Sequence, residues 1–279
     1  MHVSYDASYI RQYFDQYGER EWARLEQDPE RVVNFHVHRH FLQRFVRAGD
    51  RVLEAGAGPG RFTIELARLG ARVVVGDISP TQLELNRQKV QEHGCEEWVE
   101  DRRLLDIVDL SCYPDDAFDA VVCYGGPLSY VFERADQALS EMLRVIRPGG
   151  HMLLGVMSLV GSTRGALGGV LQLTRQFGVG AVDGVIASGD LPRTLGGGHP
   201  CHMFTWTELK RLLERHHCTI EAAAAAACLS TGMSHVLEPV MEREPELWAR
   251  FVEWELAFCQ EPGALDTGTH LIAVVRKKP

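Results

Sequence analysis

The chain has 279 residues, of which 45% are hydrophobic, and its formal net charge is −9. It is long enough to bury a substantial core, and no apolar run of 18 residues predicts a membrane span. Nucleic-acid binders usually gather Lys and Arg into a patch that neutralises phosphates, and no such cluster is visible. We therefore expect a small-molecule partner, with no nucleic acid and no membrane.

The beginning of the chain and its cysteines indicate where the protein works. Residues 1–6 lack the basic and then apolar pattern of a signal peptide. The 7 cysteines are scattered and odd in number, which does not suggest a disulfide framework. A reducing cytoplasm is the expected location.

The first 48 residues are predicted to form a helical N-terminal cover. An aromatic stripe that includes Tyr5, Tyr9, Tyr13 and Trp22 precedes a second helix, predicted over residues 32–47. The stripe either closes over a bound ligand or is plain core. The histidines at 36, 38 and 40 stand at helical angles that do not converge on one face, so we expect them to be exposed.

A predicted strand over residues 51–55 runs into a glycine-rich turn, and a second strand over 72–76 ends at an acid, Asp77. A strand, a glycine turn and an acid about twenty residues later are the layout that binds a nucleoside. The glycines stand at 56, 58 and 60, so the spacing is G-x-G-x-G. Arg61 occupies the position that would complete the dinucleotide fingerprint.

Strand and helix periods then alternate as expected for a doubly wound α/β sheet. The further elements are predicted at 60–69 (helix), 80–92 (helix), 97–105 (strand), 118–123 (strand), 134–146 (helix) and 150–157 (strand). Pro148, Gly149 and Gly150 are expected to turn the chain into the last of these strands.

At these motifs the chain resembles the class I S-adenosylmethionine-dependent methyltransferases, whose first motif reads acid-x-G-x-G-x-G. Residues 118–126 are similar to the family's fourth-strand motif, and residues 143–154 to the helix, turn and fifth strand that follow. The resemblance covers roughly residues 50–157 and is closest to bacterial small-molecule enzymes, including those of natural-product pathways. It implies a Rossmann-like seven-stranded sheet whose last strand is antiparallel, and domain bounds of 49–279.

The resemblance also implies a cofactor site for S-adenosyl-L-methionine, with S-adenosyl-L-homocysteine as the product. Glu54 is expected at the ammonium group, Asp77 at the ribose hydroxyls, and Ile78 on the adenine. Asp106 and Ile107 fit the loop around the adenine, although Asp101 and Asp109 compete for that role. The remaining assigned residues are Gly56, Ala57, Gly58, Gly60, Cys123 and Tyr124.

The rest of the chain carries insertions. Residues 158–204 are rich in glycine without a steady period, which indicates a lid insertion. A helix is predicted over 205–216, a strand through the alanines at 222–227 despite their helix propensity, a helical insertion over 234–260, and a last strand over 270–275.

Candidate catalytic residues come from the lid and from the loop after the fourth strand. His199 or His202 is expected to act as a general base or substrate anchor, against the alternative of lid packing. Tyr13, Tyr124 and Tyr130 are expected to line the acceptor site, with Tyr130 also a catalytic candidate. Arg164 and Arg193 are candidates for binding an acidic substrate.

Several alternatives stay open. No metal is expected, because the spacing of His199, Cys201 and His202 matches no standard zinc site. An NAD-dependent oxidoreductase, a non-catalytic S-adenosylmethionine binder, and a methyltransferase acting on protein or tRNA are the rival functions. Methylation at O, N, C or S is equally compatible with the sequence.

Overall fold

One seven-stranded sheet organises the computed structural model, which describes residues 3–279. Its strands are β1 (Arg51–Ala55), β2 (Arg72–Asp77), β3 (Val99–Leu104), β4 (Phe118–Cys123), β5 (Ile146–Met157), β8 (Cys218–Ala226) and β9 (His270–Lys277), and a separate hairpin holds β6 (Asp190–Leu191) and β7 (Cys201–His202). The order is β3-β2-β1-β4-β5-β9-β8, and β9 runs antiparallel to both of its neighbours. The predicted doubly wound sheet with an antiparallel last strand is confirmed.

Three helices precede the sheet: α1 (Ala7–Tyr17), α2 (Arg20–Arg24) and α3 (Pro29–Phe45). The third begins three residues earlier than predicted, because Asp28 caps it and Pro29 fits its first turn. Phe41 of α3 is fully buried against the sheet. The observation that residues 1–6 lack a signal-peptide pattern rests partly on Met1 and His2, which lie outside the described residues.

The helices that alternate with the strands are α4 (Arg61–Arg68), α5 (Pro80–Glu92), the single turn α6 (Pro127–Tyr130), and α7 (Ala135–Val145). Gly60 begins α4 with φ of 101°, a backbone angle that favours glycine, and Ser79 caps α5. The bounds of α4, α5 and α7 agree with the predicted ones within about two residues, whereas α6 was not predicted. β5 differs, because it begins at Ile146 and continues through the predicted turn.

The lid insertion, for which the sequence showed no steady period, is mostly helical. It forms α8 (Leu159–Gly165), α9 (Leu167–Phe177) and α10 (Val179–Ser188), followed by the β6–β7 hairpin. Leu159 and Val185 pack in one apolar cluster with Ile10 and Tyr130, which ties the lid to the N-terminal cover. A β-carbon added to the glycines at 168, 169, 180 or 184 would have no neighbouring atom within 4 Å, so packing does not require glycine at these positions. Their presence in the helices explains why the sequence showed no helical period.

The C-terminal part contains α11 (Trp206–Glu214), α12 (Ser234–Arg243) and α13 (Pro245–Phe258). The alanines at 222–226 lie in β8 and pair with β9, as predicted from topology. β8 is one of the two edge strands of the sheet, and the Ala225 N–H donates to the Cys259 carbonyl just after α13, at 2.8 Å. Between residues 3 and 279, no helix has the length and apolar character that crossing a membrane requires.

Candidate active site

A cavity with about 830 Å³ of empty space opens at the carboxyl ends of β1, β2 and β4. The sequence-predicted cofactor residues that line it are Gly56, Ala57, Gly58, Asp77, Ile78, Asp106, Ile107 and Tyr124. Tyr130 and Gln82 line it as well. The structure thus brings most of the predicted cofactor residues to one surface.

Asp77 is the buried acid of this cavity. Its Oδ2 accepts a 2.8 Å hydrogen bond from the Gly58 N–H, and its Oδ1 accepts one of 2.8 Å from the Ser79 N–H. Burial raises the pKa of Asp77 to about 6, although both hydrogen bonds oppose that change. The two N–H donors fix the carboxylate at the cavity wall, where its remaining lone pairs suit a ribose diol.

Steric constraints explain why glycine stands at two positions of the turn after β1. A β-carbon on Gly56 would stand 2.2 Å from Cγ of Pro127, and its φ is 81°. A β-carbon on Gly60 would stand 3.0 Å from Nδ2 of Asn86. Gly56 therefore lets the turn pass close to α6, while Gly60 serves the start of α4 and does not line the cavity.

Glu54 and Cys123 do not line the cavity. Glu54 is 2% exposed and accepts a hydrogen bond of 2.5 Å from the Thr63 hydroxyl of α4. Burial raises its pKa to about 8. Cys123 is fully buried, and burial raises the pKa of its thiol to about 12. Glu54 therefore does not reach the cavity, and its position does not support the expected direct contact with the ammonium group.

The N-terminal cover closes over the cavity through aromatic side chains. The Tyr5 hydroxyl donates to Oδ2 of Asp106 at 2.7 Å, and the Tyr9 hydroxyl donates to the Gly198 carbonyl at 2.6 Å. The guanidinium of Arg61 lies 3.6 Å from the ring centroid of Trp22. The aromatic stripe is thus a cover that ties the sheet and the lid together.

Glu21 and Arg24 of α2 also line the cavity, and the sequence did not single them out. Nε of Arg24 lies 2.9 Å from Oε2 of Glu21, and its Nη2 lies 2.6 Å from Oε1. Burial lowers the pKa of Arg24, but the charge and the hydrogen bonds of Glu21 together outweigh burial and leave the pKa raised. The only available signal was the helical i, i+3 spacing of opposite charges.

A second cavity, with about 1210 Å³ of empty space, adjoins the first. The residues that line both cavities are Phe14, Glu21, Arg24, Leu25, Gly125 and Tyr130. Tyr13 and His199 line the second cavity, as do Ser162 and Gly165 of the lid helix α8. The two cavities therefore adjoin along a boundary formed by the cover, the end of β4 and Tyr130.

His199 lies in this second cavity among aromatic rings. Its ring centroid is 5.0 Å from that of Tyr13 in a stacked arrangement, and its Nε2 is 3.1 Å from the Tyr130 hydroxyl. Burial lowers the pKa of His199 to about 4, so its ring is neutral near pH 7. Burial also raises the pKa of Tyr130 well above its usual value. The structure thus brings Tyr13, Tyr130 and His199 together.

His202 is not part of this group. Its Nδ1 is 2.7 Å from Oδ1 of Asp190, and its Nε2 is 3.0 Å from Oε1 of Glu208. It lines a different depression beside α11. Burial lowers the pKa of His202, but its hydrogen bonds to the two carboxylates outweigh that and leave the pKa raised. His202 therefore ties β7 to α11 and touches neither cavity.

The two lid arginines, Arg164 and Arg193, also have interaction partners within the fold. Arg193 pairs with Asp6 at 2.8 Å and lies over the ring of Tyr9. Arg164 donates to the carbonyls of Cys228 and Thr267. Neither arginine lines the second cavity, so the expectation that they hold an acidic substrate is not supported by their positions.

Two further histidines, His38 and His270, lie near the second cavity, and the sequence did not assign either of them to the site. His38 is 1% exposed, so its predicted exposure is wrong; α3 turns it toward Tyr124, at a ring distance of 4.6 Å. Its Nδ1 lies 2.9 Å from the Asn34 carbonyl, and its Nε2 has no hydrogen-bond partner among residues 3–279. His270 lines the cavity, with its Nδ1 3.1 Å from Nδ2 of Asn34.

The cavity residues fit S-adenosylmethionine as a group. The buried Asp77 suits the ribose, the apolar Ile78 and Ile107 suit an adenine face, and the glycine turn admits a close backbone approach. The Tyr124 hydroxyl lines the cavity region and is buried without a hydrogen-bond partner in the described chain. In the part of the chain that the structure describes, no cluster of His, Cys, Asp and Glu is arranged to hold a metal ion.

Comparisons with known proteins agree with this geometry. Residues 52–150 match the family model described as a methyltransferase domain. The demethylmenaquinone methyltransferase of Clavibacter sepedonicus is 37% identical over 107 residues, which is 38% of this chain and 41% of that protein. The match thus spans about two fifths of this curated relative's length.

Solved structures extend the likeness over the whole chain. The [4+2]-cyclase SpnF has 18% identity and a TM-score of 0.59, covering 100% of this chain and 98% of that one. The 1,6-didemethyltoxoflavin-N1-methyltransferase of Burkholderia thailandensis, solved with S-adenosylhomocysteine, has 17% identity and a TM-score of 0.58, covering 98% and 89%. At these identities the likeness shows the fold alone.

The sheet order, the glycine turn with its buried acid, and the cavity at the strand ends define a Rossmann-like nucleoside-binding protein. Residues 52–150 match the methyltransferase-domain model, and together with this geometry they make the chain similar to the class I S-adenosylmethionine-dependent methyltransferases.

Proposed function

We propose that this protein transfers a methyl group from S-adenosylmethionine, held in the first cavity, to a small molecule held in the second. The observation that carries the proposal is the wall that the two cavities share, which includes Gly125 and Tyr130. A donor in the first cavity and an acceptor in the second can meet in line where this shared boundary opens, and most of the catalysis of methyl transfer comes from such positioning.

The chain's own residues supply binding and orientation. Asp77 holds the ribose, Ile78, Asp106 and Ile107 hold the adenine, and Tyr124 lies at the end of β4 beside the reacting centre. When bound, S-adenosylmethionine supplies an activated methyl group on a positively charged sulfur. The aromatic cover keeps water out of the cavity, which protects that group from side reactions.

The second cavity favours a small acceptor with a ring or another flat apolar part. Tyr13, Phe14 and Tyr130 provide aromatic walls, and His199 and His270 provide neutral imidazole rings. A neutral imidazole accepts a proton from an O–H, N–H or S–H acceptor as its methyl bond forms, or after it forms on carbon. We assign this proton transfer to His199, with Tyr130 orienting it through the 3.1 Å contact.

Calorimetry with S-adenosylmethionine, S-adenosylhomocysteine and NAD tests the cofactor assignment. We expect micromolar binding of the first two and none of NAD. Asp77→Asn should weaken both by at least tenfold, because the ribose hydroxyls lose a charged acceptor. Asp101→Asn, a partly buried acid on β3 that lines neither cavity, is the matched control.

An acceptor screen that measures S-adenosylhomocysteine release tests the reaction. Release that depends on one small molecule supports the proposal. Release only with protein or tRNA substrates would replace the small-molecule acceptor, and conversion of a molecule without release would show that the fold serves a different reaction.

A further inference from the structure

The ion pair between Glu21 and Arg24 lies at the boundary of the two cavities. Building on the proposed function, we propose that this pair recognises the amino-acid end of S-adenosylmethionine, with Arg24 taking its carboxylate and Glu21 its ammonium group. The sequence assigned the ammonium group to Glu54 of the strand; the structure points instead to the cover helix α2.

Position is the first argument. The residues that suit the nucleoside, Asp77, Ile78 and Asp106, stand at the ends of β2 and β3. A ligand anchored there extends its other end toward β1 and β4, where Gly58 and Gly125 line the cavity. Both side chains of the pair lie over that end.

The distances support this placement. Cγ of Glu21 lies 3.7 Å from the point where a β-carbon on Gly58 would stand. Nη2 of Arg24 lies 3.7 Å from the corresponding point on Gly125. Each charged side chain therefore lies within van der Waals reach of a glycine of the cavity wall, at the end of the cavity that the nucleoside does not occupy.

Availability is the second argument, because the other charged residues of the cavity have partners within the fold, and Asp77 and Asp106 are assigned to the nucleoside. Arg61 donates to the Trp22 carbonyl and pairs with Glu26. Asp106 accepts from Tyr5 and from the Val108 N–H. Within the described residues, the side chains of Glu21 and Arg24 bond only to each other.

Charge balance is the third argument. The amino-acid end of the cofactor carries one positive and one negative group, and the pair offers one of each with side chains only 16% and 22% exposed. In two intermolecular ion pairs, each charged group of the ligand that loses water gains an oppositely charged partner, so no charge is left buried and unpaired. A bidentate guanidinium is also well matched to a carboxylate.

Binding of two ligands by calorimetry separates this role from a structural one. S-adenosylhomocysteine carries the amino-acid end, whereas 5′-methylthioadenosine has the same nucleoside and sulfur without it. We expect Glu21→Gln and Arg24→Gln each to weaken S-adenosylhomocysteine binding roughly tenfold to a hundredfold. Binding of 5′-methylthioadenosine should stay within about twofold of the wild type, a difference of only a few tenths of a kcal/mol.

The matched control is Arg68→Gln, which breaks another i, i+3 ion pair, with Glu65, at a site that lines neither cavity. It should change neither affinity. Equal weakening of both ligands by the α2 variants would show that the pair only supports the cover, and unchanged binding of both would show that it plays no part; either result overturns the inference. A wild type that binds neither ligand overturns the proposed function itself.

Discussion

The hydroxyl of Tyr5 donates a 2.7 Å hydrogen bond to Oδ2 of Asp106 and so fastens the beginning of the chain to the loop after β3. Burial, and then the hydrogen bond and charge of Asp106, raise the pKa of Tyr5 far above its usual value, so the hydroxyl stays a donor at every ordinary pH. The cover is therefore held at the sheet by a specific polar contact as well as by apolar packing.

Replacing this tyrosine should loosen the cover without unfolding the sheet. We expect Tyr5→Phe to make closure of the cover less favourable by about 1 kcal/mol, the value of one hydrogen bond to a charged group at a partly exposed site. The measurement is the rate of limited proteolysis within residues 3–28. Tyr9→Phe, which loses a hydrogen bond to the Gly198 carbonyl instead, should show a smaller effect. Cleavage at the wild-type rate in Tyr5→Phe would contradict this role.

Glu54 should make stability depend on pH. Its folded pKa of about 8 lies above its ordinary value of 4.5, so the protonated form is favoured on folding. Its contribution to stability is full below pH 4.5 and is lost as the pH rises through about 8. We expect the wild type to lose on the order of 4 kcal/mol relative to Glu54→Gln across this window. Urea unfolding at several pH values measures the difference; a difference that does not change with pH would refute the prediction.

His202 should act on stability in the acid range and leave the reaction unchanged. Its pKa is raised in the folded protein, so its stabilising effect is present below pH 6.5 and is lost as the pH rises above that value. We expect His202→Gln to cost more stability at pH 5.5 than at pH 8.5 in urea unfolding. His235→Gln, at an exposed position on α12, is the control. A large loss of methyl transfer with unchanged stability would return His202 to the active site.

His199 should matter for the reaction and not for cofactor binding. We expect His199→Gln to lower kcat/KM roughly a hundredfold, the usual size of a general-base effect, with S-adenosylhomocysteine affinity unchanged. Because burial holds the pKa of His199 at about 4, its ring should leave the rate independent of pH above about 5. The measurement is S-adenosylhomocysteine release with the acceptor found by screening. A variant with the wild-type rate would limit His199 to packing against Tyr13.

The parts of the site that could be predicted from the sequence are those dictated by local backbone geometry. Gly56 and Asp77 were predictable because a strand, a tight turn and a following strand end place a glycine and an acid at one edge of a sheet. The strand at 222–226 was predictable because the topology required it, against the helix propensity of alanine.

The positions that could not be predicted from the sequence are those that depend on which face of a helix or strand packs against a neighbouring element. Glu54 follows the strand's alternation, but only the packing of Thr63 from α4 shows that it points away from the cavity. His38 was misjudged because three histidines on one helix carry no sign of which face the sheet covers. Arg24 reaches the site through the path of the chain after Gly18, a tertiary relationship without a local signal.

The edge strand β8 is made largely of alanines at 222–226, which offer no charged side chain to repel a strand from another molecule. Unprotected edges of this kind template aggregation. The Ala225 N–H is already bonded to the Cys259 carbonyl, so one rung of the ladder that an incoming chain would need is occupied from within. The segment with α12 and α13 between β8 and β9 thereby protects this edge from pairing with another molecule. Shortening the segment should promote aggregation of the folded protein at a point where methyl transfer is still unaffected.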